Sequence, residues 1–152
     1  GVRRAALIDP DLFPRHYCHM TPFDDPQAEL AWMFLQSLAD GGDLDEGLAL
    51  LSEDFSYWSI ATRTSFDKET LRRAMAKREK VLTDVNLELI RCVNEGETVV
   101  VEGQVEAATT DGEPYDSPFV CIFDTRDGLI VSLREYSDTR RTASVFPRSP
   151  GD

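Results

Sequence analysis

From Val85 to Ser137 the apolar residues settle into a period of two, and that change of period constrains the fold more than any other feature of the chain. Val85, Leu87 and Leu89 alternate with polar neighbours, Asn94-Glu95-Gly96 marks a turn, and Thr98 to Thr109 is rich in β-formers. Asp111-Gly112 supplies the next turn, Tyr115 to Thr125 the next strand, and Asp127-Gly128 a last hairpin before Leu129 to Ser137. Strands joined by turns this short must run antiparallel, because a parallel neighbour needs a crossover of about a dozen residues.

The first half of the chain reads differently. Asp25-Pro26 gives a helix N-cap followed by proline at the first helical position, and Ala31, Phe34, Leu35 and Leu38 follow at i, i+3, i+4 and i+7. Gly41-Gly42 stops that helix. Asp43, with Glu46 three residues on, opens a second helix whose stripe is Leu44, Leu48 and Leu51. A short strand is expected at Phe55 to Ile60, and a third helix from Asp67 through Met75 to about Arg78, with Phe66 and Leu71 placed as a hydrophobic staple. Helices first and a meander after them predict an α+β domain, the helices packed on one face of a curved sheet. Residues 1–24 carry Pro10, Pro14 and Pro22 among apolar residues and read as an arm laid across the body. The domain is expected over 25–146, with a short tail at 147–152.

Composition excludes several classes of partner. The 152 residues hold 28 Asp plus Glu against 16 Lys plus Arg, a net charge of -12, with no basic stripe to meet nucleic acid or an anionic membrane. No apolar run approaches the ~20 residues that span a bilayer, and the start of the chain lacks a signal-peptide apolar region, so a cytoplasmic protein is expected. Cys18, Cys92 and Cys121 lie far apart and are odd in number, which points to free thiols. His16 and His19 lack further ligands at suitable spacing, so neither a metal nor another cofactor is expected.

Three clusters could carry chemistry. On the last strand, alternation puts Leu129, Val131, Leu133, Glu135 and Ser137 on one face, which would set the Glu135 carboxylate at the end of an apolar row. Desolvation there would raise its pKa toward the range useful for general acid or base work; alternatively Glu135 pairs with an arginine or reaches solvent. Val99, Val101, Gly103 and Val105 share one face of their strand, and Glu102, Gln104 and Glu106 the other. Plain patterning sends the valines to the core, whereas a sheet wrapping a cavity could turn Glu102 and Gln104 into it. Tyr57, Trp58 and Ser59 form the third cluster, either an aromatic plug or a phenol donor beside a cavity.

With this order of elements, the run Asp127-Gly128-Leu129-Ile130 followed by Arg134-Glu135-Tyr136-Ser137-Asp138 resembles the SnoaL-like branch of the nuclear transport factor 2-like (NTF2-like) superfamily. The likeness covers roughly residues 26 to 146, including Ser52-Glu53-Asp54-Phe55 and the Gly112 to Tyr115 turn. It implies a conical barrel: three helices against a strongly bent, mainly antiparallel sheet, an apolar pocket at the open end, and frequent homodimerisation through the outer sheet face. Against the limonene-epoxide-hydrolase branch, the pocket tyrosine falls on Tyr57, its asparagine partner on Ser59, the arginine and first aspartate on Glu102 and Gln104, and the final aspartate on Glu135. Glu102 opposite Glu135 would make the two acids share a proton rather than hold water through an ion pair. Against the ketosteroid-isomerase branch, the tyrosine donor falls near Leu35 and the base near Ser59, so neither role is filled.

The resulting expectation is a cofactor-independent isomerase, cyclase or hydrolase acting on an apolar small molecule. Glu102 and Glu135 would be coupled acid and base, with Tyr57 and Tyr115 as hydrogen-bond donors. Leu35, Leu38, Phe119 and Leu133 would form the pocket walls, with Trp58, Ser59 and Gln104 beside them. The alternative is a non-catalytic binding or protein-association module, its pocket filled by Trp58 and Phe119. In either case Phe146 and the segment after Asp138 are placed to act as a lid.

Overall fold

The structure, a computed structural model, describes residues 6–7 and 25–146. Aspartates start its helices. The Asp25 carboxylate accepts from the backbone N–H groups of Gln27 and Ala28 at 2.9 and 3.0 Å, opening α1 (Pro26–Ser37). Asp43 does the same for Asp45 and Glu46 at the start of α2 (Leu44–Leu48), and Asp67 for Thr70 at the start of α3 (Lys68–Glu79). The buried face of α1 carries Ala28, Ala31, Trp32, Phe34 and Leu35. None of the described helices is long and apolar enough to cross a membrane.

The strands are β1 (Ala6–Leu7), β2 (Leu51–Ser59), β3 (Thr64–Phe66), β4 (Leu82–Glu95), β5 (Thr98–Thr109), β6 (Pro114–Arg126) and β7 (Leu129–Ser137), followed by a short helix α4 (Thr139–Val145). They form one sheet in the order β1-β4-β5-β6-β7-β2-β3. All neighbours are antiparallel except β2 and β7, which run parallel. The expected α+β meander is present. Its last turn is of type I′: Asp127 and Gly128 both have positive φ, 53° and 76°, matching the twist of the flanking strands.

Several expectations need correction. The strand placed at Phe55 begins at Leu51, so Leu51 belongs to the sheet rather than to the stripe of α2. It turns back at Arg63 into β3, a strand too short to announce itself by alternation. Of the arm, Ala6 and Leu7 pair with Cys92 and Arg91 on β4; its remainder, with His16, Cys18 and His19, and the tail 147–152 lie outside the described residues. On β7 the alternation breaks. Asp124 faces Ser132 but Thr125 faces Ile130, so Val131 is an extra residue. This bulge turns Ile130 into the core beside Leu133 and leaves Leu129 exposed, reversing the face expected for Leu129.

The core lies between the inner face of the sheet and the helices, where Phe34 meets Phe123 edge-on at 6.2 Å. On β5 the alternation is unbroken and Val99, Val101 and Gly103 are buried. Residues paired across the strands share a face. One row therefore runs Val101, Cys121, Glu135, Ser59 through the core side, and its neighbour runs Val100, Ile122, Arg134, Trp58 along the outer side.

Candidate active site

At the end of the sheet where β7 finishes and β4 begins, the helices stand off the strands and leave a cavity of ≈ 160 Å³. Phe34, Leu35 and Leu38 of α1 and Leu71, Met75 and Arg78 of α3 form the helix wall. The sheet wall is built from alternate inward positions: Leu87 of β4, Val105 of β5, Tyr115, Ser117, Phe119 and Cys121 of β6, and Leu133, Glu135 and Ser137 of β7. Thr142 and Phe146 border it from the α4 side. Val145 and Phe146 also pack on the cluster of Leu82, Val85 and Tyr115, and the Arg141 guanidinium lies 5.5 Å from the Tyr115 ring. The C-terminal segment is thus seated against the rim.

Gly103 explains how the sheet wall accommodates Phe119. A Cβ there would come within 2.5 Å of the Phe119 ring and 2.7 Å of the Glu88 carbonyl oxygen, so only glycine lets the tip of the ring come this close to β5.

Glu135 and Arg78 are the charged side chains among the described residues that line the cavity. Glu135 is partly accessible, and no described residue hydrogen-bonds or ion-pairs with its carboxylate. Burial alone pushes its pKa up to about 7. A carboxyl at that value is divided between acid and base near neutral pH, the condition for giving and taking a proton at comparable rates. Tyr57 lines the same cavity, one strand away and two residues back in register, and stacks on Phe66 with centroids 5.3 Å apart.

The structure brings Glu135, Tyr57, Tyr115, Leu35, Leu38, Phe119 and Leu133 together around one space. Four candidates are elsewhere. Glu102 and Gln104 sit on the outer face of β5, opposite Arg91 and Glu88 of β4 and Val120 and Pro118 of β6. With no bulge in β5, the valines keep the inner face, so among the described residues Glu135 is the carboxylate that lines the cavity. Trp58 is also outward: the Arg134 guanidinium lies 4.1 Å from its ring and donates to the Tyr136 hydroxyl. Ser59 is buried beside Glu135 in register, but its hydroxyl accepts from the Ala61 N–H at 3.2 Å and it does not line the cavity.

Sequence reasoning passed over Ser117, Ser137 and Arg78. Ser117 and Ser137 share the alternation that singled out Phe119 and Glu135. Arg78 continues the Leu71–Met75 helical stripe at i+7, so its place on the buried face was readable from spacing. Among the described residues no three His, Cys, Asp or Glu side chains gather as metal ligands.

Residues 33–133 match the family model of the SnoaL-like domain. The chain belongs to the SnoaL-like family. The family match ends at Leu133, so the role of Glu135 rests on the geometry of its own strand end. No curated protein matches the chain. Among solved structures, PrhC from Penicillium brasilianum NBRC 6234 superposes with a TM-score of 0.71 at 18% identity, covering 79% of this chain and 85% of that one. A protein from Jannaschia sp. CCS1, provisionally described as a SnoaL-like polyketide cyclase, gives 0.71 at 16% identity over 86% and 97%. An NTF2-like protein from Anabaena variabilis ATCC 29413 gives 0.65 at 27% identity over 78% and 95%. These likenesses establish the NTF2-like fold of this SnoaL-like chain. What it acts on is a separate question.

Proposed function

We propose that the chain is a cofactor-independent enzyme that moves a proton on a small apolar carbonyl compound, leading to isomerisation or cyclisation. The observation that carries this reading is Glu135, a carboxyl without a partner among the described residues, at the wall of an apolar cavity and pushed up to about 7. The Glu135 carboxylate takes a proton from the carbon next to the carbonyl, and the bonding pair moves to the carbonyl oxygen as an enolate. The proton then returns at a different carbon, or the enolate carbon attacks a second carbonyl and closes a ring, and the alkoxide formed there takes the proton back from the Glu135 carboxyl. Tyr57 and Tyr115, both lining the cavity, are the phenols available to hydrogen-bond the enolate oxygen. The SnoaL-like polyketide cyclase description of the Jannaschia neighbour supports the same chemistry. Hydrolysis through two carboxylates is disfavoured, because Glu102 lies on the other face of the sheet.

A cavity of about 150 Å³ holds one benzene ring, which sets the substrate at about the size of one ring. The test is deuterium exchange at the α-carbon of cyclohexanone in heavy water, followed by proton NMR. Exchange faster than in buffer is expected, half-maximal near pH 7 and rising with pH as the base form appears, and slower by about 100-fold or more in Glu135→Gln. Equal rates for wild type and variant would reduce the chain to a binding module. Dimerisation belongs to the same proposal: Val100, Val120 and Ile122 lie half-buried on the outer face beside Trp58, Arg134 and Tyr136. Light scattering coupled to size exclusion decides it.

A further inference from the structure

Arg78 plays no part in the proton transfer just described, yet it is built into the cavity wall. Its Nη2 donates to the Leu38 carbonyl at the C-terminal end of α1, which anchors the guanidinium. Its Nε is buried with no hydrogen-bond partner among the described residues. No described carboxylate forms an ion pair with it; Glu79 and Asp40 are near enough to favour its charged form but do not bond to it. Burial works the other way and lowers its pKa. The Nε–H is closed off from solvent and Nη1 makes no hydrogen bond to a described residue, so the guanidinium keeps donors that its described surroundings do not satisfy, and Nη1 is the one left for a ligand.

Its position is also specific. Arg78 lines both the apolar cavity and an adjoining cleft bordered by Ser37, Asp40 and Gly42 at the end of α1 and the turn after it, and by Glu79 at the end of α3. On the cavity side its neighbours Leu38, Met75, Leu82 and Val85 are apolar, and Glu135 stands on the sheet wall. A molecule spanning this space would set an anionic end at the cleft junction and an apolar body toward Phe119, Leu133 and Glu135.

We propose that Arg78 is the specificity-determining residue of the cavity and that the ligand it selects is a carboxylate, carried on an apolar body of about one ring. The proposal rests on the cavity being the ligand site, as in the proton-transfer reading, but is independent of the chemistry Glu135 performs. Arginine suits the role because its planar fork stays charged where a lysine ammonium would give up its proton on burial. The exposed carboxylates of Asp40 and Glu79 border the cleft, so the carboxylate head is received from the cavity side.

Benzoate and benzamide, matched in size and differing in charge, test it at pH 6, where Glu135 is largely protonated and does not repel an anion. Wild type should bind benzoate about 10- to 100-fold tighter than benzamide by calorimetry. Arg78→Met, which keeps the packing volume, should bring the two affinities together, and Arg78→Lys should restore part of the preference. Because Arg78 also caps α1, the wild type supplies a second readout: the side-chain Nε–H resonance of Arg78 should shift on titration with benzoate and stay in place with benzamide. Equal binding of the two compounds by wild type, an unmoved Nε–H resonance, or an unchanged preference in a folded Arg78→Met protein would overturn the proposal. Glu135→Gln loses proton exchange while keeping the benzoate preference, so failure of the two readings is separable.

Discussion

Replacing Glu135 by glutamine should make the protein more stable at alkaline pH, by an amount that the structure sets. In the unfolded chain this carboxyl releases its proton near 4.5; in the folded protein burial holds it until about 7. Between those values the folded state binds more protons than the unfolded one, so stability falls as pH rises, at most about 1.4 kcal/mol per pH unit. Well below pH 4.5 both states are protonated and nothing is lost; well above pH 7 the loss is complete. From 4.5 to about 7 the integral is about 3 kcal/mol, an upper figure because Glu135 is partly accessible and water at the cavity screens its charge. Glutamine keeps the shape and never ionises. Urea unfolding of wild type and Glu135→Gln from pH 4.5 to 8.5, with midpoint and slope fitted at each pH, isolates the group because the other carboxylates cancel in the difference. The difference should be smallest at pH 4.5, grow in favour of the variant through pH 7, and level off above it. A flat difference curve would refute the claim that burial has raised this carboxyl, and with it the basis for acid–base chemistry at neutral pH.

Other outcomes follow from the same geometry. Glu102→Gln should leave exchange rates within about twofold of wild type in the cyclohexanone assay, since general acid–base loss costs ~100-fold or more and Glu102 faces away from the cavity; a large loss would put it back in the site. Gly103→Ala should destabilise the fold by about 1–3 kcal/mol in urea unfolding, because its Cβ overlaps the Phe119 ring and the rigid Glu88 carbonyl. Cys92 and Cys121 should resist iodoacetamide in the native protein, their thiols pushed up by burial to about 11 and about 12; peptide mass spectrometry should find both alkylated only after unfolding.

The parts of the fold that were legible in the sequence are those written by local rules. β5 and β7 span the residues that alternation and the Asp-Gly turn assign them, and Asp25, Asp43 and Asp67 cap helices where their side chains can reach free N–H groups. What escaped was set by neighbours. The extra residue at Val131 is invisible in β7 alone, because a bulge is defined by the strand it faces, and it decides that Ile130 rather than Leu129 enters the core. Glu102 was ambiguous for a related reason: period two gives two faces but does not say which one the helices cover. Glu135 was readable because Leu133 before it and Ser137 after it lie beyond the bulge. Arg78 was readable in principle, yet a charged residue at the end of an apolar stripe looks like the stripe's limit.

The parallel pairing of β2 with β7 bears on the order in which the molecule acquires its site. β4 to β7 can assemble by successive hairpins, each closing only a short loop. The pairing of Ser59 with Glu135 joins segments 76 residues apart in the chain (135 − 59), so its loop-closure cost falls on a late, non-local step. Until that step is complete, Tyr57 and Glu135 belong to separate halves. A folding intermediate that already contains the hairpins would therefore show native strand signals without the elevated carboxyl pKa, and recovery of that pKa during refolding would time the assembly of the site itself.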